Sequence, residues 1–240
     1  MRWPAGPGPF DRRLDEVVTL FATLDRLPHV RPLPLGGAPP DLPRRLASAG
    51  FERIGADRRM VLTEPERVRT RLEAAEARVA AAFGRERVTV SRHGAGAPLA
   101  ADRPKWDERR RWAGEASLVL EDAFGVEAAR RVALENDVLA CVRRPGCSIL
   151  LLRVDGEPVA IARSASTGDG SYLSSIGTRP AFRGRSLGSL ATGLVLVDAL
   201  EARSPVVHLS VELDNDAGRR LYESLGFAVI GEPAPDMLLR

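Results

Sequence analysis

The stretch Ile176-Gly177-Thr178-Arg179-Pro180-Ala181-Phe182-Arg183-Gly184-Arg185-Ser186-Leu187-Gly188 decides how the chain is read. It completes a run from Tyr172 that lies between the turn signal Gly168-Asp169-Gly170 and Pro180, and Pro180 cannot donate to a sheet ladder. That run predicts a strand. Beyond the basic loop, apolar residues recur at Leu187, Leu190, Leu194, Val197 and Leu200, with Ala191, Val195 and Ala199 between them. So wide a stripe predicts a helix that packs on a sheet and ends near Arg203, before Ser204-Pro205. Between strand and helix, Gly184 and Gly188 let the backbone approach a ligand, and the first helical turn leaves amide donors without partners. Arg183 and Arg185 add positive charge, so the loop suits a phosphate or pyrophosphate. It lacks the Gly-Lys-Ser/Thr of a Walker A loop.

Downstream, Val206 to Val211 reads as a buried strand. Asn215-Asp216-Ala217-Gly218-Arg219-Arg220-Leu221-Tyr222-Glu223-Ser224-Leu225-Gly226-Phe227 reads as a short helix closed by Gly226 and anchored by Phe227. Taken together, the loop and this helix resemble the GNAT family of N-acetyltransferases. That family's cofactor loop is Gln/Arg-x-x-Gly-x-Gly/Ala, and its penultimate helix ends in Leu-Tyr-x-x-x-Gly-Phe after an Asn. One position departs: Ser186 stands where the family usually has its central Gly.

The resemblance covers roughly the last 150 residues, and it implies a mixed, twisted α/β sheet with helices on both faces. It implies acetyl-coenzyme A as cofactor, held by Ile176, Gly177, Thr178, Arg183, Gly184, Arg185, Ser186, Leu187, Gly188, Asn215 and Tyr222. Ile176, Gly177 and Thr178 match the strand that splays from its neighbour and pairs with pantetheine, and Gly177 fits a bulge there. Tyr222 holds the general-acid position; a phenol can protonate a departing thiolate while neutral at pH 7. Asn215 suits either the cofactor or the helix start. For a base, Glu212 is best placed by chain order, ahead of Asp169 and His208, and His208 on its apolar strand also reads as a core histidine. Many family members let water carry the proton, so a base need not exist.

The chain has 240 residues, 44% hydrophobic and 28% charged, which is ordinary globular composition and room for one domain plus an extension. No segment reaches the roughly 18 uninterrupted apolar residues of a membrane helix, and residues 1–13 lack the order of a signal peptide, so a cytoplasmic location is the default expectation. A net charge of +3 does not argue for nucleic acid, and the arginines at 183, 185, 219 and 220 lack interleaved aromatic residues. Cys141 and Cys147 read as ordinary half-buried thiols, neither a disulfide framework nor a four-ligand metal site.

In chain order, residues 1–8 read as frayed, Leu14 to Leu27 as a helix, and the proline-rich Pro28 to Pro43 as an extended connection. Leu42 to Phe51 with Glu52 to Leu62 resembles the chain's own C-terminus: helix, Gly, Phe, a polar turn, and a last strand starting at Met. In this copy the tyrosine position reads as Ala47, and no basic loop precedes it. Thr63-Glu64-Pro65-Glu66 predicts a capped helix start, with a narrow seam at Val68, Leu72, Ala75, Val79 and Phe83 suited to joining two lobes across the surface. Val88 to Val90 predicts a strand, His93 to Pro104 a polar loop, Trp106 to Phe124 and Val126 to Arg143 two helices, and Ser148 to Val154 with Pro158 to Ala165 a hairpin about Asp155-Gly156-Glu157.

The reading is therefore an N-terminal degenerate GNAT-like half lobe with linker helix over residues 1–84 and a GNAT acetyltransferase domain over 85–240. Its expected activity is acetyl transfer to a primary amine by direct attack in a ternary complex, the alternative being a non-catalytic acyl-coenzyme-A-binding regulatory module. The expected partner is a small-molecule or peptide amine, with no nucleic acid, membrane or metal, and a homodimer is left open.

Overall fold

The computed structural model describes residues 3, 6–32, 39–94 and 106–240. Residues 33–38 of the proline-rich connection and most of the loop after His93 fall outside them. In chain order the elements are α1 (Pro7–Thr23), β1 (His29–Val30), α2 (Leu42–Ser48), β2 (Phe51–Leu62), α3 (Glu66–Phe83), β3 (Val88–Gly94), α4 (Trp106–Phe124), α5 (Arg131–Arg143), β4 (Cys147–Val154), β5 (Glu157–Thr167), β6 (Gly170–Thr178), α6 (Leu187–Glu201), β7 (Val207–Glu212), α7 (Asp216–Ser224) and β8 (Phe227–Leu239). This is a mixed α/β fold whose strands pair mostly antiparallel. No helix among the described residues is long and apolar enough to cross a membrane.

The chain folds as two compact units that interleave along the sequence: residues 61–209 with 221–228, and residues 1–60 with 210–220 and 229–240. In the larger unit the strand order is β7-β6-β5-β4-β3. Strands β3 to β6 pair antiparallel as a meander, and β6 pairs parallel with β7. Residues Ile149 to Leu152 are at most 2% exposed, because helices cover both faces of β4. Each such side chain contributes about 1.5–3 kcal/mol on burial. On one face lie α4 and α5, packing Trp112, Ala116, Val119 and Val138 on Ile149, Leu151 and Ile161. Toward the other packs α6, with α3 against it. Helix α6 is apolar nearly all round, as a helix between two layers must be.

The seam of α3 is buried at all five predicted positions, Val68, Leu72, Ala75, Val79 and Phe83. Its partner is α6: a Cβ on Gly193 would stand 3.0 Å from Leu72, so the glycine is what lets the two helices close. The helix is thus a layer of the larger unit. Thr63 does not cap it. Its hydroxyl and the amides of Thr63 and Glu64 all reach the carbonyl of Gly226, at 3.2, 2.9 and 3.1 Å.

The smaller unit orders its strands β1-β8-β2-β7, with β7 giving its second half here. Phe10, Val17, Leu42, Leu46, Phe51 and Met237 form its core. Both corners predicted as a repeat enter their strand directly at phenylalanine, Phe51 and Phe227, with no intervening polar turn and no wait until methionine. Counted back from the glycine, the residue matching Tyr222 is Leu46, which is fully buried; Ala47 is exposed and one place out of register.

Cys141 and Cys147 are joined by a disulfide, their Cα atoms 5.7 Å apart. The reading as thiols misses this because the turn Arg144-Pro145-Gly146 folds the last turn of α5 back onto the first residue of β4. Gly146 makes that turn at φ 75°, where a Cβ would strike the Ser166 carbonyl at 2.2 Å.

Candidate active site

The larger unit places β6, the basic loop, the start of α6 and Tyr222 together in one compact body. Strand β6 pairs with β7 only at Ser171, Tyr172 and Leu173. It then runs on to Thr178 with β5 as its ladder partner. The β5 ladder itself slips: Ile161 faces Gly177, but Arg163 faces Ser174, so Ser175 and Ile176 share one place opposite Ala162. The bulge expected at Gly177 therefore sits at Ser175–Ile176, and Ser175 takes a left-handed conformation, φ 50°. A non-glycine residue there stores of order 1–2 kcal/mol. Gly177 serves packing instead: a Cβ on it would lie 2.8 Å from the Ala123 Cβ and 3.1 Å from the Phe124 ring.

Past Thr178, Arg179 fixes the strand's exit. It donates to Asp122 and Glu157, each at 2.6 Å, and lies over the Phe182 ring. Arg183 is held as well, its Nε donating to the Thr178 carbonyl at 3.1 Å and a terminal nitrogen to the Ala123 carbonyl at 2.8 Å. Arg185 lies 5.5 Å over the Phe83 ring. Gly184 turns at φ 76° with open space where a side chain would stand. Ser186, immediately before α6, has φ 64° and ψ 7°. This left-handed geometry explains why glycine is the easier residue there. Its hydroxyl accepts from Arg78 Nε at 2.9 Å, which gives the serine a partner glycine could not have. Leu187 is buried, and a Cβ on Gly188 would crowd the Thr178 hydroxyl at 3.3 Å.

Tyr222 is 7% exposed on α7, its ring edge-on to Phe227 at 6.1 Å. Its hydroxyl makes no hydrogen bond among the described residues. Burial, and then the nearby Tyr172, push its pKa up to about 12. The phenol is therefore protonated throughout the physiological range.

Glu212 and Asn215 belong to the smaller unit. Glu212 is exposed at the end of β7. Asn215 accepts from the Gly218 amide through Oδ1 at 2.8 Å, which is the geometry of a helix cap. Asp169 is at an exposed turn, and His208 stacks on Tyr172 at 5.1 Å. Among the described residues no cluster of three or more His, Cys, Asp or Glu could hold a metal.

Three further features were missed in the sequence. Ser175 carries no local signal for positive φ. Arg179 reads as loop in the sequence. Arg163 could have been found, since it stands at an inward position of the alternation Ile161, Arg163, Ala165. On the α4 and α5 side of the sheet lies a cavity of about 300 Å³, and seven of its ten lining residues are apolar.

A backbone left open on one side, a bulge beside it, and a glycine turn running into free helix-start amides fit an acyl-coenzyme A: amide-rich pantetheine against the strand, pyrophosphate at the turn. Comparison with known proteins gives the family and the fold. The acetyltransferase (GNAT) family matches residues 107–227. A mycothiol acetyltransferase from Nocardiopsis dassonvillei is 41% identical over 75 residues, which is 31% of this chain and 19% of that protein, so the match spans about a fifth of the relative. Two solved structures share the fold. A GCN5-related N-acetyltransferase from Kribbella flavida has TM-score 0.60 and 19% identity, covering 97% of this chain and 76% of that one. A tandem GNAT protein from the clavulanic acid biosynthesis pathway has TM-score 0.58 and 17% identity, covering 98% and 70%. The family match takes in α4 through Phe227 and thus every element of the larger unit from the cavity to Tyr222, and on it the chain belongs to the GNAT acetyltransferase family.

Proposed function

We propose that the protein transfers an acetyl group from acetyl-coenzyme A to a primary amine by direct attack within a ternary complex. The observation that carries this reading is the β6 backbone, unpaired by β7 after Leu173 and bulged at Ser175, leading straight into the turn at Gly184. Ile176, Gly177 and Thr178 would hold the pantetheine arm, and the amides following Gly184 through Gly188 the pyrophosphate. The cofactor supplies an activated thioester carbonyl. The protein's own contribution is position and hydrogen bonding, which for acyl transfer is most of what catalysis requires. Arg183 and Arg179 act through the loop's shape, since both are bound to the protein itself.

Tyr222 would donate to the departing sulfur. A phenol held near pKa 12 is a weaker acid than a thiol, so it stabilises the thiolate by a hydrogen bond, and the proton is made good from solvent. Asn215 is occupied as a cap, and we assign it no contact with the cofactor. Glu212 remains our candidate base, with water relay as the alternative route. Of residues 1–84, the first 60 would form a degenerate GNAT-like half, while α3 belongs to the larger unit; the matching corners at Gly50 and Gly226 and a likeness over 98% of this chain to a tandem GNAT protein support the proposal.

The test is thiol release from acetyl-coenzyme A across a panel of amines, for wild type and Tyr222→Phe. We expect amine-dependent release, with kcat lowered about 100-fold in the variant. Release equal in both would remove Tyr222 from the mechanism. Cofactor binding with no amine-dependent release across the panel would favour a regulatory module.

A further inference from the structure

The 300 Å³ cavity holds one feature that its apolar walls do not explain. Arg163 reaches into it from β5, and its Nε is shut off from solvent with no hydrogen-bond partner among the described residues. A guanidinium is charged at every working pH, and an unsatisfied buried donor on a charged group costs more than a neutral one. Such a group is built to be satisfied by something that arrives. The other charged residue lining the cavity, Asp137, is exposed on α5 at the mouth. It disfavours a plain anion and favours a zwitterion.

The cavity also reaches the reacting end of β6. Ser175, the bulge residue, lines it, and Phe124, another lining residue, is the side chain that crowds Gly177. A molecule with its carboxylate on Arg163 and an apolar body against Phe124 and Ile149 would bring its remaining end to the bulged backbone. We propose that Arg163 sets acceptor specificity, and that the acceptor is an amine carrying both a carboxylate and an apolar body, as in an apolar α-amino acid. This inference rests on the acetyl-transfer reading for the cavity's role as acceptor site. A bidentate Arg–carboxylate pair is the strong, geometrically selective form of such recognition.

The experiment is direct binding by calorimetry, with and without acetyl-coenzyme A. The probes are L-leucine and L-phenylalanine, with leucinamide and phenethylamine as their carboxylate-free counterparts. We expect at least one carboxylated probe to bind about tenfold or more tighter than its counterpart, the preference to vanish in Arg163→Gln, and part of it to return in Arg163→Lys. Melting temperatures of the two variants check that the fold survives. Equal binding of the paired probes, undiminished binding by Arg163→Gln, or no binding of the carboxylated probes at millimolar concentration would each overturn the proposal. Leucine or phenylalanine bound through Arg163 by a protein that fails to bind acetyl-coenzyme A would instead uphold the subsite and remove the transfer reading.

Discussion

At Gly50 and at Gly226 the chain leaves a helix through a glycine at positive φ, 90° and 97°, and enters a strand at a phenylalanine. Four residues before each glycine stands a buried side chain, Leu46 in one and Tyr222 in the other. Here the likeness stops. A Cβ on Gly50 would meet only the end of the Leu239 side chain, at 3.4 Å, whereas one on Gly226 would meet the backbone carbonyl of Glu64 at 2.4 Å. That carbonyl belongs to the segment whose amides are bound to Gly226, so the second corner is a clamp and the first is a turn. Leu46 completes an apolar cluster of aliphatic and aromatic side chains; Tyr222 adds one hydroxyl without a partner among the described residues. On the proposed mechanism one corner is scaffold and the other serves chemistry, and the two differ in one oxygen atom and in what the glycine faces.

The largest effect expected from breaking this comparison is at the paired buried residues. Leu46→Ala should cost about 2–5 kcal/mol in denaturant unfolding, with turnover of the folded fraction unchanged. Tyr222→Phe should do the reverse, keeping stability while losing kcat. Kinetic loss in the Leu46 variant at full foldedness would mean both corners serve catalysis.

Next in size are the glycines. Gly226→Ala adds a backbone clash to left-handed strain and should cost about 2–4 kcal/mol, while Gly50→Ala should cost about 1–2 kcal/mol, measured by the same unfolding curves. Equal losses would show that the Glu64 contact yields easily.

A smaller effect is expected at Ser186. Ser186→Gly relieves left-handed strain but loses the Arg78 contact and raises unfolded-state entropy, so stability should move by less than about 1 kcal/mol. Acetyl-coenzyme A affinity by calorimetry should not fall. A loss of affinity would mean the serine hydroxyl itself serves the cofactor.

The smallest and most graded effect is in pH. His93, stacked on Trp112 at 4.0 Å, has its pKa lowered to about 4 by burial and then by the charges of Arg153 and Arg109. A folded value below the unfolded 6.5 favours the neutral ring, so its contribution is complete above pH 6.5 and is lost as pH falls through 4. Melting temperature should therefore decline over that window, and less so in His93→Phe. Identical declines would place the acid sensitivity elsewhere.

The order of elements from Val88 onward was legible because hydrophobic period, turn residues and glycines agree with one another. The five-residue seam of α3 was legible down to the residue, since a narrow helical stripe leaves few alternatives. What escaped depended on partners distant in sequence. The bulge moved from Gly177 to Ser175 because α4 needs the glycine's space, and nothing local to β6 records that. The disulfide needed the turn at Gly146 to be seen in space. Arg183 reads as a free cation in sequence, yet two carbonyls hold it. The likeness of the two corners is visible in the sequence, but the reading that matches Tyr222 with exposed Ala47 is one residue out of register, because only the positive-φ glycine fixes where counting begins.

The central claim, that the opened β6 backbone and the turn into α6 form an acyl-coenzyme A site, is met most directly by calorimetric titration of the whole protein with acetyl-coenzyme A. We predict one-to-one binding in the micromolar range, weakened at least about tenfold in Gly188→Val, where a side chain would crowd Thr178 and fill the approach to the helix start. Absence of binding by the wild type, or binding indifferent to Gly188→Val, would contradict it.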